Sequence, residues 1–571
     1  MIEMQVDGRT IEAGEGETIL SALKREGIHV PTLCHMEGLL PSGACRMCVV
    51  EQEGSGGLLP SCSYPVSPGL RVLTHSPKVL NTRKTIVELL LSNHPDDCLY
   101  CVRSRNCELH KLAESMGIQQ RSLRGRKNHR DRDVAGAVVR DLDKCILCGR
   151  CVRVCDEIQG VSCIDFVGRG CEAFVGTTFS QRLNVSTCVN CGQCIVACPT
   201  GALTERSYVD EVVAALADPD KIVIAQHAPA VSVSLSEEFG GSAGQNVDGK
   251  MMAALRRIGF KYVFDTSFTA DLTIMEEAAE LAQRIANGGT LPMFTSCSPG
   301  WIKFVEQFYP EMIPNLSTCK SPQQMMGAII KSYFAEREKI DPSKIVSVSI
   351  MPCTAKKFEC ERPEMGTAHV PDVDYVLTTR ELVRLLKKFG VNLLSFEPQP
   401  ADYPFGDRSS AGKIFGTSGG VMEAALRTAH FLLTGEEISK LDILPVRGMA
   451  GVKEIRTKIG DLEIGAAVVS GLLNARKILD EISMGREDLH FIEVMTCPGG
   501  CINGGGQPLG TSEKAAKLRM QTLYKIDTTA SLRVSHRNPY IRRLYEDFLG
   551  EPLGEKSHKL LHTHYIARDV L

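Results

Sequence analysis

Three cysteine-bearing segments in the C-terminal two-thirds of the chain contain the residues best suited to chemistry. They read FTSCSPGW at 294–301, MPCTAKKFE at 351–359 and EVMTCPGGCINGGGQP at 493–508. Each cysteine lies close to proline or glycine, so a loop can surround a bulky group and turn backbone N–H groups toward it. Cys497 and Cys501 share the last segment with Gly504, Gly505 and Gly506, which permit very close backbone approach. One such loop would indicate an ordinary buried thiol, but three together predict one inorganic cofactor held from several sides.

Cysteine spacing near the N-terminus is typical of iron–sulfur sites. Cys34, Cys45, Cys48 and Cys62 are arranged as C-x10-C-x2-C-x13-C. Four thiolates satisfy two tetrahedral irons, and the long first gap resembles the ferredoxin-like N-terminus of hydrogenases and of the large iron–sulfur subunit of respiratory complex I. We therefore predict one [2Fe-2S] cluster; a zinc site is the alternative, which the predicted hairpin-and-helix frame disfavours.

A second set combines one histidine with three cysteines. His94, Cys98, Cys101 and Cys107 have H-x3-C-x2-C-x5-C spacing. The same two families use this spacing for a [4Fe-4S] cluster with one imidazole ligand, which removes a negative charge and should raise the reduction potential. From spacing alone, a zinc Cys3His site stays open.

Residues 140–204 contain an internal repeat. DKCILCGRCVRVC at 143–155 and STCVNCGQCIVACP at 186–199 both read C-x2-C-x2-C-x3-C. In this two-cluster bacterial ferredoxin pattern, the fourth cysteine of each run serves the other cluster. One [4Fe-4S] cluster is therefore assigned to Cys145, Cys148, Cys151 and Cys198, and another to Cys188, Cys191, Cys194 and Cys155. The insert at 156–185 is predicted to form a β-hairpin.

Composition and charge limit the function classes. The chain has 571 residues, 23 cysteines and a formal net charge of −3, so nucleic-acid binding has no electrostatic support. No secretory signal and no apolar run near the ~18 residues of a membrane span are present, and we expect no membrane association. We expect a cytoplasmic protein whose reduced thiols bind metal rather than form disulfides. Four cysteines that fit no ligand pattern are interpreted as packing or incidental thiols: Cys163, Cys171, Cys319 and Cys360.

The elements that position these residues follow two patterns. MQVDGRTIEA predicts a β-hairpin and ETILSALKREG a helix, whereas apolar strands alternate with amphipathic helices from about residue 208. Candidate strands are KIVIAQ, KYVFDTS, IVSVSIM and VDYVLTT; candidate helices are DGKMMAALRRIG, DLTIMEEAAELAQRIANG, SPQQMMGAIIKSYFAEREK and TRELVRLLKKFG. The alternation predicts an α/β core with largely parallel sheets, whose strand ends usually carry ligand-holding loops.

The predicted fold class is therefore multidomain, α/β and α+β, with ferredoxin-like iron–sulfur domains before a large α/β domain. The expected domains are a [2Fe-2S] domain at 1–78, a His/Cys3 [4Fe-4S] domain at 79–124, a two-cluster [4Fe-4S] domain at 125–207 and a cofactor-binding domain at 208–571.

The three cysteine loops resemble the signature segments of the [FeFe]-hydrogenases, and the N-terminal sites resemble the long, clostridial-type members. The resemblance covers essentially the whole chain. It implies an H-cluster, a [4Fe-4S] cubane joined through a cysteine sulfur to a di-iron centre with CO, cyanide and azadithiolate. By motif position, Cys501 would bridge the two parts, with Cys353 and Cys497 as further cubane ligands.

The resemblance also implies the pocket around the di-iron centre. Lys356 would place its ammonium against a cyanide, because a point cation suits an anionic diatomic ligand. Met351 and Met495 would form polarisable walls that do not compete as ligands. The family analogy adds Pro229, Ala230, Ser321, Gln323 and Phe415.

A proton relay is predicted on one helix. Glu277, Glu280 and Arg284 stand at i, i+3 and i+7, which places them on one stripe. Such a stripe usually faces solvent, but these positions match the family's relay, together with Ser317 and with Cys297 nearest the cofactor.

One position departs from the family pattern. The first loop normally has two adjacent cysteines, a proton carrier followed by a cubane ligand, whereas this chain has Cys297 followed by Ser298. Serine oxygen is harder than thiolate and suits iron–sulfur clusters less well. Ser298 could ligate as an alkoxide, Cys297 could become the fourth ligand, or one iron could be left to solvent or another group.

The resemblance implies an enzyme that interconverts protons, electrons and dihydrogen. Its expected partners are ferredoxin or NAD(P)H-oxidising diaphorase subunits, and the H-cluster maturation proteins. A hydrogen or redox sensor on the same fold is the alternative, because Ser298 replaces a ligand. A complex I-type electron-transfer subunit would share only the N-terminal third and would lack the three loops.

Overall fold

The computed structural model describes residues 1–125, 129–134, 136–366, 370–460 and 462–569. The chain divides into two compact units. The first contains Met1–Ile158, Ser162–Leu183 and Gln193–Thr204, and the second contains Gln159–Val161, Asn184–Gly192 and Glu205–Leu571. The finer division into four domains stays a prediction.

The first unit is built from short elements. Its strands are β1 (Ile2–Val6), β2 (Arg9–Ala13), β3 (Val49–Gln52), β4 (Leu58–Pro60), β5 (Arg71–Leu73), β6 (Val138–Arg140), β7 (Asp165–Val167) and β8 (Phe174–Gly176), and β9 (Leu203–Glu205) lies at its boundary. Its helices are α1 (Ile19–Arg25), α2 (Pro77–Ser92), α3 (Glu108–Ser115), α4 (Arg150–Arg153) and α5 (Gln193–Ala197).

A five-stranded sheet in the order β2-β1-β5-β3-β4 organises the N-terminal part of this unit. The predicted hairpin is confirmed: β1 and β2 pair antiparallel, and Asp7 and Gly8 turn the chain with positive φ of 50° and 81°. Met4, Val6 and Ile11 alternate with exposed residues and pack in one core with α1. The predicted hairpin of the 156–185 insert is also confirmed, as β7 pairs antiparallel with β8.

The second unit contains the longer elements. Its strands are β10 (Ile222–His227), β11 (Tyr262–Asp265), β12 (Met293–Phe294), β13 (Ile345–Met351), β14 (Tyr375–Thr378), β15 (Val452–Ile459), β16 (Leu462–Ser470) and β17 (Phe491–Met495). Its helices are α6 (Val209–Ala217), α7 (Pro229–Ser232), α8 (Asp248–Arg257), α9 (Ser267–Asn287), α10 (Pro299–Phe308), α11 (Pro322–Ile329), α12 (Ala335–Glu338), α13 (Ala355–Cys360), α14 (Thr379–Lys388), α15 (Ser410–Ile414), α16 (Gly420–Thr434), α17 (Leu472–Ser483), α18 (Glu513–Thr529), α19 (Pro539–Leu544) and α20 (Glu555–Leu561).

Two four-stranded sheets form the core of the second unit. The first, β11-β10-β13-β14, is entirely parallel and contains the four strands predicted from the sequence. The second, β12-β17-β16-β15, is parallel except for its edge pair β15–β16. The sequence pattern missed this second sheet because β12 has two residues and β15 alternates polar and apolar residues on an edge.

Helix α9 is the longest helix of the second unit that contacts the predicted site. It begins at Ser267, four residues before the predicted start, because β11 leads directly into it and Asp265 accepts the Ser267 N–H at 2.9 Å. The predicted helix at 321–339 runs as α11, a π-helical turn at Ile330–Phe334 and α12. Among the described residues, helices long and apolar enough for a membrane crossing are absent.

Candidate functional site

Each of the three cysteine loops begins at the carboxyl end of a parallel strand. Strand β12 leads to Cys297, β13 leads to Cys353, and β17 leads to Cys497 and Cys501. The carboxyl end of strand β10 likewise leads to residues predicted for the site, Pro229 and Ala230. Because carboxyl ends of parallel strands share one edge of a sheet, residues from distant sequence positions meet there.

These loops surround one cavity of about 90 Å³. By the same measure a single water needs only about 10–15 Å³, so the cavity is far larger than a hydration site. Twelve of the predicted residues line it: Pro229, Ala230, Cys297, Ser298, Gln323, Met351, Cys353, Lys356, Phe415, Met495, Cys497 and Cys501. The rest of the lining surface is mostly apolar, which would exclude water from a bound group.

The glycines of the third loop pack against backbone atoms. A Cβ at Gly504 would lie 2.2 Å from the Pro352 oxygen, and one at Gly505 would lie 2.1 Å from the Cys191 oxygen. Any larger residue would therefore push the loops apart. The predicted close backbone approach is confirmed at both positions.

Lys356 is held at the cavity by buried partners. Its ammonium donates to the Glu359 carboxylate at 3.1 and 2.9 Å and to the Cys297 carbonyl at 3.1 Å. Glu359 also accepts from the Ser321 hydroxyl at 2.9 Å and the Gln323 amide at 3.1 Å. Ser321 is therefore not among the residues that line the cavity; it donates to the carboxylate that orients Lys356.

Ser298 occupies the position of the missing cysteine and lines the cavity. It precedes Pro299 at the start of α10, but its hydroxyl does not cap that helix. Instead, Ser298 Oγ lies 2.8 Å from Thr496 Oγ1 and accepts the Thr496 N–H at 3.3 Å. The side chain is therefore tied to the residue that precedes Cys497.

The predicted relay residues lie together behind Cys297. Glu277 is 1% exposed and Glu280 is 6% exposed, so this stripe of α9 is buried. Glu280 accepts from Ser317 Oγ at 2.9 Å and from Arg284 at 2.6 Å. The Ser317 hydroxyl and the Ser296 N–H lie close enough to Glu277 to oppose the rise in its pKa, although neither forms a well-directed hydrogen bond with its carboxylate oxygens.

Burial controls the protonation of this group. It raises the pKa of Glu277 to about 8, with the negative charge of Glu280 as the second cause. Burial, followed by the Glu277 charge, also holds the pKa of the Cys297 thiol well above its ordinary value. Near neutral pH, both groups therefore carry a proton that can be passed on.

In the first unit, the predicted [2Fe-2S] ligands converge. The Cys34 side chain is hydrogen-bonded to Cys45 and Cys62, and Cys48 is hydrogen-bonded to Cys62. These contacts lower the pKa of Cys34, and the Cys62 contact lowers the pKa of Cys48 to about 6. The same contacts raise the pKa of Cys45 and Cys62, so the four sulfurs are close enough to control one another's protonation, as one ligand set requires.

His94 has the hydrogen bond expected of a ligand. Its Nδ1 lies 3.0 Å from the Pro95 carbonyl, an arrangement that places the proton on Nδ1 and the lone pair on Nε2. Cys101 is close enough to affect the pKa of Cys98 and of Cys107, both of which are raised mainly by burial.

The two cysteine sets assigned from the repeat differ, because only one of them lines a single cavity. Cys145, Cys148, Cys151 and Cys198 line one cavity of the first unit. Of the other set, Cys155 and Cys194 belong to the first unit, and Cys188 and Cys191 to the second. Cys198 comes from the second run and lines the same cavity as three cysteines of the first run, as the ferredoxin pattern predicts. The assignment of the other four cysteines to one cluster stays a prediction.

Three residues at or beside the main cavity were not predicted from the sequence. Glu359 lies three residues after Lys356 on α13, a spacing that signals a helical ion pair. Thr496 binds Ser298, and Cys191 lines the cavity although it was assigned to another cluster. No sequence signal indicates these last two contacts, because they join loops that only the fold brings together.

The residues present fit an iron–sulfur cofactor of the predicted kind. Soft thiols are the ligands that such clusters prefer, and five of them line one cavity: Cys191, Cys297, Cys353, Cys497 and Cys501. A fixed ammonium suits anionic ligands, and most of the remaining lining is apolar.

Family models match five successive segments of the chain. They are the iron only hydrogenase large subunit, C-terminal domain at 221–505, the iron hydrogenase small subunit at 513–568, the 2Fe-2S iron-sulfur cluster binding domain at 1–77, the NADH-ubiquinone oxidoreductase-G iron-sulfur binding region at 83–122, and the NADH-quinone oxidoreductase subunit 3 ferredoxin-like domain at 136–204. The chain therefore has iron–sulfur domains before a hydrogenase domain, as its predicted fold class requires.

Relatives match over the full length. The chain is 50% identical to the NADP-reducing hydrogenase subunit HndD of Solidesulfovibrio fructosivorans, covering 100% of both chains. It is 38% identical to iron hydrogenase 1 of Clostridium pasteurianum, covering 98% of this chain and 99% of that one. A solved structure of an [FeFe]-hydrogenase HydA1 variant from Chlamydomonas reinhardtii is 41% identical with a TM-score of 0.57, covering 63% of this chain and 99% of that one. This chain has the three cysteine loops and the iron–sulfur domains, and two named hydrogenases are similar to it over their full length. The chain therefore belongs to the iron-only, or [FeFe], hydrogenase family.

Proposed function

We propose that this hydrogenase interconverts protons, electrons and dihydrogen at an H-cluster held in the main cavity. The observation that carries this proposal is the cavity itself, where Cys353, Cys497 and Cys501 meet the buried ammonium of Lys356 and the thiol of Cys297, the first residue of the predicted relay. When bound, the H-cluster supplies the redox-active metals at which dihydrogen is made or split.

The chain would hold this cofactor through three loops. We assign Cys353, Cys497 and Cys501 as cubane ligands, with Cys501 as the bridge to the di-iron centre. Cys297 and Ser298 both face the cavity, and either could complete the cubane. The Ser298–Thr496 hydrogen bond ties Ser298 beside Cys497, which supports the serine as the nearer candidate.

The cavity residues would orient the cofactor and keep water out. Lys356, fixed by Glu359, presents a positive charge toward an anionic cyanide. Met351, Met495 and Phe415 supply apolar contacts, and Pro229 and Ala230 close the wall beneath β10. Gln323 accepts from Ser349 Oγ at 2.9 Å, which fixes its amide donor toward Lys356 and Glu359.

Protons would move between Cys297 and Glu280 through Glu277 and Ser317. Cys297 and Glu277 can each hold a proton near neutral pH, as their raised pKa values require. Ser317 donates to Glu280 and can pass a proton by exchanging its own. Arg284 fixes the outer carboxylate by its 2.6 Å hydrogen bond.

Electrons would pass through the iron–sulfur clusters predicted before residue 200. We assign one [2Fe-2S] and three [4Fe-4S] clusters to the ligand sets predicted above. The partner would be ferredoxin or NAD(P)H-oxidising diaphorase subunits, and the 50% identity to an NADP-reducing hydrogenase subunit favours the latter. Maturation proteins would be needed to build the di-iron centre.

Infrared spectroscopy of anaerobically matured protein tests this function. We expect CO and cyanide stretching bands, together with dihydrogen production from a reduced dye. A Cys501→Ala variant matured in parallel is the control and should lack both signals. Matured protein without diatomic bands and without gas production would contradict the proposal.

A further inference from the structure

Arg284 is poorly suited to be the outer end of a proton relay. Its guanidinium donates to Glu280 and to the carbonyl oxygens of Thr290, Pro314 and Leu316. A guanidinium has no acceptor and keeps its protons in proteins, so it cannot take a proton and release it. Because Glu280 is only 6% exposed, another group must connect it with water.

The C-terminal segment supplies a titratable side chain on another side of Glu280. A ring nitrogen of His562, the Cys319 sulfur and a Glu280 carboxylate oxygen all lie within 4.8 Å of one another. One hydrogen-bonded water spans such a distance between nitrogen and oxygen, since each bond is roughly 2.8–3.0 Å. Cys319 Sγ itself lies 3.8 Å from Glu280 Oε2.

Thr318 contacts both ends of this gap. Its backbone N–H donates to Glu280 at 3.1 Å, and its hydroxyl lies 2.8 Å from His562 Nδ1. The backbone N–H therefore fixes Glu280 and the hydroxyl fixes His562, which holds the carboxylate and the imidazole on either side of the gap that a water would bridge.

A buried carboxylate fixes the imidazole. His562 Nε2 lies 3.0 Å from Glu276 Oε2, and Glu276 also accepts from Tyr545, Ser557 and the Leu553 N–H. Against the effect of burial, these hydrogen bonds lower the pKa of Glu276, so it stays ionised. His562 therefore has one nitrogen beside a fixed negative charge and the other facing a hydroxyl.

His558 connects this imidazole with solvent. It lies on α20, one helical turn before His562, which caps that helix, and the two rings are in tilted contact with centroids 4.3 Å apart at 41°. His558 is exposed, whereas His562 is 8% exposed. Imidazole is the side chain whose ordinary titration falls between pH 5 and 8, which suits a group that exchanges protons with water.

We propose that protons enter and leave the relay at Glu280 through His562 and His558, with Arg284 as a fixed electrostatic partner. The proposal rests on the relay of the proposed function and adds its connection to solvent. During dihydrogen oxidation, a proton leaves the Glu280 carboxyl group and binds one ring nitrogen of His562. The His562 imidazolium then gives a proton through water to a ring nitrogen of His558, which releases it to solvent. Proton reduction uses the reverse route, and these relay steps transfer protons only.

Histidine substitutions in the matured enzyme test the route. His562→Gln keeps one donor for Glu276 and one acceptor for Thr318 but cannot carry a proton. His558→Ala removes an exposed ring, and His564→Ala on the same segment is the matched control. We expect dye-linked dihydrogen oxidation to fall about 100-fold or more in the first two variants, the lower end of the usual range of proton-transfer contributions, and to stay unchanged in the control. Infrared bands and iron content should be the same in all three.

Imidazole added to the buffer separates proton transfer from a structural role. It should restore most of the activity of His558→Ala, because a free imidazole can replace the missing ring, and should not affect the control. Reduced activity without rescue would overturn the proposal. Should His562→Gln prove less stable to heating, His558→Ala decides the question.

Glu277→Gln distinguishes failure of this route from failure of the relay. If Glu277→Gln is inactive while both histidine variants stay within twofold of the unaltered enzyme, the histidine route is wrong and the proposed function stands. If Glu277→Gln is fully active, the relay of the proposed function is itself wrong.

Discussion

The two units arrange their candidate ligands in different ways. In the first unit, Cys145, Cys148 and Cys151 come from one short run, and Cys98 and Cys101 from another. In the second unit, Cys297, Cys353 and Cys497 come from three loops that follow strands of two different sheets. A ligand set of the first kind depends mainly on local chain geometry, and a set of the second kind depends on the whole α/β core.

This difference predicts how each region responds to the loss of a ligand. A short cysteine run needs only a few backbone turns to present its sulfurs, so its surroundings can be small. The cavity of the second unit needs strand ends, glycines at 504 and 505 where a Cβ would not fit, and buried ion pairs to act together. Ligand loss should therefore have local effects in the first unit and total effects in the second.

The largest expected effect tests this contrast directly. Cys501→Ala should abolish both the infrared bands and dihydrogen production, because the proposed bridge to the di-iron centre is lost. Cys145→Ala should keep the infrared bands and remove one [4Fe-4S] signal from the electron paramagnetic resonance spectrum. Loss of the diatomic bands in Cys145→Ala would contradict the separation of the two regions.

Glu277→Gln should have the next largest effect. The amide cannot carry a proton, so turnover should fall about 100- to 10,000-fold while the cofactor stays bound. Dihydrogen production and infrared spectra measured on one sample would check this. Glu336→Gln, at an exposed position of α12, is the matched control and should leave turnover unchanged.

Dihydrogen production should depend on pH through the same carboxyl group. Burial and the Glu280 charge raise the pKa of Glu277 to about 8, so its proton is present at pH 7 and is lost as pH rises past that value. The upper limb of the pH–rate profile should follow this loss. In Glu280→Gln, the remaining activity should have its upper limb at lower pH, because a charge that raises the pKa of Glu277 is removed. An unchanged limb would mean that another group controls it.

Ser298→Cys should have a moderate effect on cofactor binding. It supplies a fourth thiolate where the chain has an oxygen, and thiolate suits iron–sulfur clusters better. We expect the variant to retain its iron longer than the unaltered protein when both are incubated with a chelator. Equal rates of iron loss would indicate that Cys297 or another group already completes the cubane.

The smallest expected effects concern helix caps, one in each unit. Thr18 accepts the Ser21 N–H at 3.2 Å at an exposed position, whereas Thr378 forms a fully buried capping box with Glu381. Replacing either by alanine should cost about 0.5–2 kcal/mol, with Thr378→Ala at the upper end. Hydrogen exchange of the amides in α1 and α14 would measure the two losses. A larger loss at Thr18 would contradict the role of burial.

Much of this molecule could be predicted from its residues. The hairpin at β1–β2, the parallel strands β10, β11, β13 and β14, and the placement of twelve residues around one cavity follow from period, turn chemistry and the signature segments. The second sheet was not predicted, because β12 has only two residues and the alternating β15 differs from the continuous apolar strands of the first sheet. The site itself was predicted by resemblance, and its geometry was not.

The sequence by itself determined which residue types could bind iron, since cysteine spacing within a run limits where the sulfurs can go. It also determined the α/β class, through the alternation of apolar strands and amphipathic helices. Only the tertiary structure decided the partners that join distant segments, including Ser298 with Thr496, Lys356 with Glu359 held by Ser321, and Glu276 with His562. These contacts depend on how two sheets and a C-terminal segment pack around α9. Contacts between residues so far apart in the chain leave no periodic pattern in the sequence.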